Sequence, residues 1–467
     1  MDGPPGLTCV RHGVPTKLTC VECDTPICPD CAIRTPVGLK CPDHATRPAP
    51  PRKSQFGIVT LVVVVIAVVA FAQFARRTGT TKAAVPRCPT ESAPDVGIGA
   101  TAGGGHWREL AASPLCGRYD AAAVWTGREM IVWGGESCAG ATCPSDQSPH
   151  LGDGAAYNPT TDKWRTLAKS PLTAREPAAT AWTGTEMLVW GGTTGQDLLA
   201  DGAAYDPAKD RWRPLAASPL APRTASAAVW SGKELLVWGG SDLADGAAYD
   251  PAKDAWRPLA ASPLSGRSAT LSAWTGTELV VWAGVSLNGT AEFADGAAYD
   301  PATDRWRRIA SAPVAGRYAA ATAWTGRELV VWGGNRLGSV VGDGAAYDPA
   351  ADRWRTLPVA PVADRSAAGA VWTGKELVVW GGVGRPGSGA AADPLARVLE
   401  PRSTLTLLED GAAYDPATDS WRTLEPVSFL GRGFPVTVWA DQEMLVWGGL
   451  VSVASAASAA DGVRYRP

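Results

Sequence analysis

The chain is poor in histidine, methionine and phenylalanine, and positive charge is not in excess. It has 4 histidines, 4 methionines and 6 phenylalanines in 467 residues, with a net charge of −3. This balance excludes the basic patch of a nucleic-acid-binding protein. His106 and His150, the histidines outside residues 1–50, are too few for a copper oxidation centre, which needs several His and Tyr ligands. Neither a nucleophile-elbow serine motif nor a phosphate-binding loop occurs, so no catalytic residue is predicted.

Long apolar runs are also scarce, with one exception. Residues 54–75 contain no charged side chain, and most of this run is Val, Ile, Leu, Ala and Phe. Such a run, about 20 residues long, matches the thickness of a bilayer's hydrocarbon core. It follows about fifty polar residues, which distinguishes it from a cleaved signal peptide. The run predicts a single transmembrane helix, with a buried core helix as the alternative. Basic residues flank both ends equally and do not orient it.

Tryptophan, in contrast, is abundant and regularly spaced. The 21 tryptophans form seven copies of one unit that uses three each. In one copy Trp230 and Trp238 lie 8 residues apart, and Trp256 follows Tyr249 by 7 residues. An Arg follows this last Trp by 11 residues and opens the next copy. A period near 50 residues predicts a propeller, a solenoid or an array.

Each unit is predicted to contain four strands. In this copy they are residues 225–230, 234–238, 245–249 and 256–259. Turn residues separate the first strand from the second and the third from the fourth, and a Gly-Gly pair ends the second. Four antiparallel strands in each of seven units predict an all-β fold, a β-propeller.

The two ends of the repeat region are predicted to pair with each other. Residues 106–110 have the pattern of an isolated fourth strand, and residues 461–465 that of an isolated third strand. Their pairing would complete the last unit and leave no unpaired sheet edge. Residues 106–467 are therefore expected to form seven blades, the last of them built from both ends of the region.

The unit resembles the kelch repeat. The resemblance rests on the Gly-Gly pair after the second strand, followed by a Tyr and, 7 residues later, a Trp, and it covers about residues 106–467. It implies a seven-bladed kelch-like β-propeller. Two copies depart from the pattern: Ala283 replaces the first Gly of the pair in the fourth unit, and Trp439-Ala440-Asp441 lacks the usual Thr-Gly turn.

The first 48 residues carry four pairs of metal-ligand residues, each pair separated by two residues. The pairs are Cys9/His12, Cys20/Cys23, Cys28/Cys31 and Cys41/His44. This spacing lets a tight turn direct both side chains at one tetrahedral ion, and eight ligands suffice for two Zn²⁺. A module this small would derive folding energy from the metal. The alternative is a disulfide knot, in which the two histidines would have no role.

The same pattern resembles the B-box type zinc finger, including a short version that precedes membrane segments in some bacterial proteins. The resemblance implies that Cys9, His12, Cys28 and Cys31 share one zinc ion and that Cys20, Cys23, Cys41 and His44 share the other. Because both ligand sets are closed, the two ions are expected to be structural.

The cysteines also predict the compartments. Zinc thiolates persist most easily in a reducing environment, so the module at residues 1–48 is expected in the cytoplasm and the propeller outside it. Residues 76–105, rich in Thr, Ala, Pro and Gly, would be the linker between membrane and propeller. The remaining cysteines predict two disulfides, Cys138–Cys143 and Cys88–Cys116, with other pairings or four free thiols as alternatives. The abundance of Ala, Gly, Pro and Arg is typical of a bacterial protein.

Variation in loop length is confined to one predicted face of the propeller. The long loops are residues 136–152, 383–409 and 450–460, and they belong to units that are neighbours in a closed ring. They would form a raised crescent, and variable loops on a rigid scaffold are where binding sites usually lie. His150, Arg385 and Arg397 are candidate ligand-binding residues there. The alternative is that these loops are insertions without a ligand.

An Arg opens the first strand of every unit, near the same face. The seven are Arg118, Arg175, Arg223, Arg267, Arg317, Arg365 and Arg432. A ring of guanidinium groups is a candidate binding site for an anionic ligand. Each unit also has a matching Glu, such as Glu129, and a matching Asp, such as Asp153. This equal sevenfold use favours the alternative, in which the arginines form ion pairs inside the units.

These patterns together predict a membrane-anchored binding or scaffold protein. Its propeller would bind a protein or a glycan outside the cytoplasm, its helix would contact the lipid bilayer, and its zinc module would offer a surface to a cytoplasmic protein. The alternative is a cell-envelope enzyme, a glycosidase or sugar isomerase, acting through propeller carboxylates. A deep pocket with two carboxylates about 5–9 Å apart would favour glycoside chemistry, and a broad face would favour binding. A third hypothesis makes the propeller a passive spacer for the zinc module.

Overall fold

A computed structural model describes residues 106–137, 150–385, 405–427, 429–453 and 457–467, together with four short strands near the start of the chain. Those strands are β1 (Leu7–Thr8), β2 (Pro15–Thr16), β3 (Ile33–Thr35) and β4 (Gly38–Lys40), which pair as the antiparallel ribbons β1-β2 and β3-β4. The chain divides into two compact units, Met1–Val59 and Thr60–Pro467.

Several predictions from the sequence concern residues outside the described ranges. These are the eight proposed zinc ligands, the segment 54–75, the linker 76–105, and Cys88, Cys138 and Cys143. Within the described part of the chain, no helix has the length and apolarity needed to cross a membrane.

The second unit is built from strands alone in the residues described. They are β5 (Trp107–Glu109), β6 (Ala122–Trp125), β7 (Met130–Trp133), β8 (Gly154–Asn158), β9 (Lys163–Thr166), β10 (Ala179–Trp182), β11 (Met187–Thr193), β12 (Leu198–Asp206), β13 (Arg211–Pro214), β14 (Ala227–Trp230), β15 (Leu235–Trp238), β16 (Gly246–Asp250), β17 (Ala255–Pro258), β18 (Leu271–Trp274), β19 (Leu279–Trp282), β20 (Gly296–Asp300), β21 (Arg305–Arg308), β22 (Ala321–Trp324), β23 (Leu329–Trp332), β24 (Asn335–Arg336), β25 (Ser339–Val340), β26 (Gly344–Asp348), β27 (Arg353–Thr356), β28 (Arg365–Ser366), β29 (Gly369–Trp372), β30 (Leu377–Trp380), β31 (Val383–Gly384), β32 (Thr406–Leu407), β33 (Gly411–Asp415), β34 (Ser420–Thr423), β35 (Val436–Ala440), β36 (Glu443–Trp447) and β37 (Gly462–Tyr465).

These strands form seven four-stranded antiparallel sheets in the described residues. In chain order, sheet 1 is β6-β7-β8-β9, sheet 2 is β10-β11-β12-β13, sheet 3 is β14-β15-β16-β17, sheet 4 is β18-β19-β20-β21, sheet 5 is β22-β23-β26-β27, sheet 6 is β29-β30-β33-β34 and sheet 7 is β35-β36-β37-β5. The strands of sheet 3 match those predicted from the repeat to within about two residues. Repeated four-stranded sheets of this kind are the architecture of a β-propeller.

The pairing between the two ends of the repeat region is present. In sheet 7, β37 pairs with β5, so that Val463 lies opposite Glu109 and Tyr465 opposite Trp107. The first strands of the sheets also contact one another in sequence, β6 to β10, β14, β18, β22, β29 and β35, and β35 contacts β6 again. The contacts between first strands therefore form a closed cycle.

The core consists of the second and third strands, which are buried on both faces between neighbouring sheets. All four residues of β15 are fully buried, and so is the Gly-Ala-Ala-Tyr run of β16. Alanines on the first and third strands leave room for the large side chains of the adjacent sheet. Burial on both faces explains why the second strands read as continuous apolar runs instead of alternating patterns.

Tryptophan pairs join each sheet to the next. The second-strand Trp of one sheet contacts the fourth-strand Trp of the following sheet, with ring centroids 5.1–5.7 Å apart and tilted planes. The pairs are Trp133–Trp212, Trp190–Trp256, Trp238–Trp306, Trp282–Trp354, Trp332–Trp421, Trp380–Trp107 and Trp447–Trp164. Tilted aromatic pairs of this kind contribute beyond their buried area, which gives the Trp spacing in the sequence a physical cause.

Ala283 departs from the repeat at a position that favours glycine. Its φ is 61°, and the glycines at the same position of the other six sheets have φ between 65° and 72°. We expect Ala283→Gly to change the free energy of unfolding by less than about 0.5 kcal/mol, because relief of left-handed strain offsets both the added backbone entropy of glycine and the lost burial of the methyl group. The measurement is the urea midpoint followed by tryptophan fluorescence.

The control is Ala298→Gly in the same sheet, at a buried position in strand β20. It should destabilise by about 1–2 kcal/mol through lost burial and added backbone entropy. Equal destabilisation by both changes would contradict the strain argument.

Candidate functional site

The strand order gives the propeller two different faces. The turns between first and second strands, and between third and fourth strands, lie on what we call the short-turn face. The connections between second and third strands, and from one sheet to the next, lie on the opposite variable face. Loops 383–409, 450–460 and 136–152 leave sheets 6, 7 and 1, whose first strands contact one another in that order. The three long loops therefore arise from consecutive sheets.

The ends of these loops form short antiparallel ladders, which the sequence analysis did not predict. In sheet 1, Tyr119 pairs with Glu136, which pairs with His150. In sheet 6 the same ladder is β28-β31-β32. The Gly-Gly pair allows this because both residues have positive φ and let the strand change partners. The middle parts of the loops, 138–149, 386–404 and 454–456, lie outside the described residues.

The Arg that opens each unit is buried beneath this face. In sheet 3, Arg223 donates to the carbonyl oxygens of Ala221, Gly239 and Asp245 and to both carboxylate oxygens of Asp245, at 2.9–3.3 Å. The seven arginines are at most 1 % exposed. Their ion pairs, at 2.7–2.9 Å, are Arg118–Asp153, Arg175–Asp201, Arg223–Asp245, Arg267–Asp295, Arg317–Asp343, Arg365–Asp410 and Arg432–Asp461. This geometry agrees with the hypothesis that the seven arginines form ion pairs inside the units. Anion binding by these arginines stays a prediction, and no contact in the described residues supports it.

The matching glutamates pair with a different arginine, which the sequence did not indicate. In sheet 2, Glu186 binds Arg213 of the fourth strand at 2.6 Å. Arg213 also donates to the Tyr249 hydroxyl of sheet 3, and Tyr249 donates to Asp254 at 2.6 Å. Burial, with the hydrogen bond to Asp254, raises the pKa of Tyr249 to about 12. This network joins adjacent sheets near the short-turn face.

One group of charged side chains breaks the sevenfold pattern. The Nε2 atom of His150 lies 3.2 Å from Oε1 of Glu136, and Tyr119 donates to Oε2 of Glu136 at 2.7 Å. One ligand atom each from Glu136, His150 and Glu176 lie within 4.8 Å of one another. Glu176 comes from sheet 2, directly after Arg175, so the group spans two sheets. We call these three residues, with Asp120, the acidic cluster.

The carboxyl groups of the acidic cluster have raised pKa values. Burial, together with the nearby Glu136 carboxylate, raises the pKa of Asp120 to about 7. Burial and the charges of Asp120 and Glu136 raise the pKa of Glu176 well above its usual value. A group of like charges in a buried setting is a recognised mark of a functional site.

Asp120 connects the acidic cluster to a cavity between the first strands. The cavity has a volume of about 270 Å³. Its lining is Asp120, Ala121, Ala319, Ala320, Ala367, Ala368, Phe434, Pro435 and Val436. Asp120 is the one titratable side chain in this lining, so the described cavity does not present two carboxylates to a single sugar.

One protein-family model matches part of the repeat region. Residues 105–265, which include sheets 1 to 3, match the family model described as the KLHDC2/KLHL20/DRC7 Kelch-repeats domain. The chain contains a kelch-type β-propeller. Sheets 4 to 7 repeat the geometry of the matched part. No curated protein matches the chain significantly.

The kelch propeller brings together few of the ligand-binding residues predicted from the sequence. His150 belongs to the acidic cluster. Arg385 is partly buried beside the end of β31, and Arg397 lies outside the described residues. Cys116 is disulfide-bonded. Its predicted partner Cys88 lies outside the described residues, so that pairing stays a prediction.

The sequence analysis did not identify Asp120 and Glu176 as site residues, although the repeat contained a signal for both. The residue after the opening Arg is Glu176 in sheet 2, and in the other sheets it is Tyr119, Thr224, Ser268, Tyr318, Ser366 and Gly433. The next residue is Asp120 in sheet 1, and elsewhere it is Pro177, Ala225, Ala269, Ala319, Ala367 and Phe434. Each of these two positions carries one carboxylate in seven copies, in adjacent sheets of the kelch propeller. Alignment of the copies shows this departure, but only the fold shows that the two residues are neighbours.

Proposed function

We propose that this chain is a single-pass membrane protein whose seven-bladed kelch propeller binds a protein through its variable face. The propeller lies outside the cytoplasm, residues 54–75 cross the membrane, and residues 1–48 hold two structural Zn²⁺ through the eight cysteines and histidines named above. The closed cycle of first-strand contacts supports seven blades. The disulfide at Cys116 supports an oxidising compartment for the propeller.

The observation that carries the binding function is the difference between the two faces. On the short-turn face, equivalent residues of sheets 1 to 6 make the same Arg-Glu-Tyr network. The large differences in loop length lie on the variable face, and so does the acidic cluster, which breaks the repeat. A rigid ring of repeated sheets that varies on one face is the usual arrangement of a binding scaffold.

The enzyme alternative receives less support. Glycoside hydrolysis needs two carboxyl groups about 5–9 Å apart across the sugar. The described cavity is lined mainly by alanine and contains the single carboxyl of Asp120. The binding function is therefore the one this geometry favours.

Removal of the longest loop tests the proposal. We expect the full chain, immobilised in detergent, to enrich peptides from a displayed random library, because kelch propellers generally bind proteins. Replacing residues 386–404 with a short Gly-Ser linker between β31 and β32 should reduce that enrichment at least tenfold. The tryptophan fluorescence should stay unchanged, because the strands on both sides of the replacement remain.

A charge change on the opposite face provides the control. Lys253→Glu alters an exposed turn residue and should leave the enrichment of peptides intact. Undiminished enrichment by the loop variant would contradict a role for the long loops. A signal on a glycan array without enrichment of peptides would overturn the protein ligand in favour of a glycan.

A further inference from the structure

The acidic cluster contains a buried carboxylate oxygen that the described residues leave without a hydrogen-bond partner. It is the Oε2 atom of Glu176, a residue that is 9 % exposed. The Nε2 atom of His150, whose side chain is 10 % exposed, lies 3.2 Å from Oε1 of Glu136 but makes no hydrogen bond of good geometry in the described structure. A buried polar atom without a hydrogen bond is costly, so two such atoms in one cluster point to a group that binds both.

The surrounding charge is negative. Glu136 and Glu176 are buried, and carboxylate oxygens of the two residues lie within 4.8 Å of each other. Asp120 adds a third carboxyl group, which is half-buried. The adjacent Arg175 and Arg118 are directed to Asp201 and Asp153 and complete their own ion pairs there. Like charges in a buried position are stabilised either by protons or by a cation.

The donor types and their geometry favour a cation. One imidazole nitrogen and two carboxylate oxygens lie within 4.8 Å of one another, a separation that three ligands of a single ion can adopt. Nitrogen and oxygen donors in this combination suit divalent transition ions, with Zn²⁺ as a typical occupant. The Tyr119 hydroxyl already orients Glu136 through its second carboxylate oxygen, as outer hydrogen bonds do at metal sites.

We infer that Glu136, His150 and Glu176 bind a divalent transition-metal ion of the Zn²⁺ type at the variable face. The ion would join the ladder of sheet 1, in which Glu136 and His150 are adjacent partners, to the bridge between Glu176 and Thr193 beside sheet 2. Three protein ligands leave at least one position of a four-coordinate ion for water or another donor. The site is separate from the eight ligands predicted in residues 1–48, and it does not depend on what the propeller binds.

The zinc content of the full chain tests this inference. We expect His150→Gln and Glu176→Gln each to lower the zinc content by one ion per chain, measured by elemental mass spectrometry after purification in the presence of Zn²⁺. Glu292→Gln is the matched control, because Glu292 occupies the ladder position of His150 in sheet 4. Its zinc content should equal that of the wild type, whatever number of ions residues 1–48 hold.

A second measurement separates metal loss from misfolding. All 21 tryptophans lie between residues 107 and 447, so their fluorescence reports on the propeller alone. Saturating Zn²⁺, at about 100 times its Kd, should stabilise the wild-type and Glu292→Gln propellers against urea by about 2.7 kcal/mol, and the two ligand variants should lack this shift. Equal zinc content in all four proteins, or an equal Zn²⁺-dependent gain in stability against urea, would overturn the inference. The buried carboxyl groups would then be stabilised by shared protons and not by a metal ion.

Discussion

Replacing Gly240 with alanine is expected to lower the free energy of unfolding by about 3 kcal/mol or more, whereas the same change at Gly232 should cost about 1 kcal/mol. Both glycines belong to sheet 3 and have nearly the same φ, 84° and 86°. A Cβ at Gly232 would meet no atom within 4 Å, but at Gly240 it would lie 2.5 Å from the Thr224 carbonyl oxygen and would also clash with the Ser226 hydroxyl.

This pair of variants separates two effects that usually occur together. The cost of left-handed backbone is common to both positions, so the difference between them measures the close approach of the strand to its neighbour. The measurement is the urea midpoint by tryptophan fluorescence. Equal midpoints for the two variants would show that the first strand moves aside freely and that the Gly-Gly pair is needed for its dihedral angles alone.

The second large effect is expected at the buried arginines. Arg223→Met keeps the aliphatic part of the side chain but removes the donors to three carbonyl groups and to Asp245. We expect it to lower the free energy of unfolding by about 3 kcal/mol, because the Ala221 carbonyl loses its donor, two further carbonyls each lose one of their donors, and Asp245 loses its ion-pair partner. Asp245→Asn should cost only about 1 kcal/mol, because that side chain is 57 % exposed and the carbonyls keep their bonds to Arg223.

The control for this prediction is an ion pair in the same sheet whose basic partner is exposed and whose acidic partner, Asp250, keeps a backbone hydrogen bond from Ala252. Lys253, 70 % exposed, pairs with Asp250 at 2.9 Å, and Lys253→Met should change the stability by less than about 0.5 kcal/mol. The expected order of cost is therefore Arg223→Met, then Asp245→Asn, then Lys253→Met, as read from urea midpoints. If Arg223→Met were as mild as Lys253→Met, the arginines would not hold the sheets together, and their role in binding would need to be tested directly.

Both predictions concern the point at which the second strand of each sheet ends. In sheets 1 to 6 the opening Arg donates to the carbonyl oxygen of the residue after the last Trp of the second strand, as Arg223 does to Gly239. That residue opens a Gly-Gly pair in all these sheets but sheet 4, where it is Ala283. The arginine and the glycines therefore fix the place where the strand leaves its sheet and the variable face begins. This is why these residue types recur at constant spacing while the loops beyond them differ.

The strands could be predicted because the repeat supplies the same information seven times. The spacing of Trp230 and Trp238 indicated two strands joined by a tight turn, and β14 and β15 end at these residues. The pairing of β37 with β5 was predicted because each is incomplete alone. The short ladders at the loop ends were not predicted, since Tyr119, Glu136 and His150 show no alternating pattern and are paired only through the Gly-Gly bend.

The sequence by itself determined the repeated four-stranded unit, its number of copies and the pairing of its two ends, because these depend on spacings that local chain geometry imposes. It also supplies the predictions of a zinc module, a transmembrane helix and an exported propeller. Only the tertiary structure decided which charges meet. The seven arginines that open the units bind aspartates within their units, and the glutamates of sheets 1 to 6 bind fourth-strand arginines. Glu176 reaches Glu136 and His150 from another sheet. Contacts between sheets depend on how the ring closes, and no spacing within a single repeat contains that information.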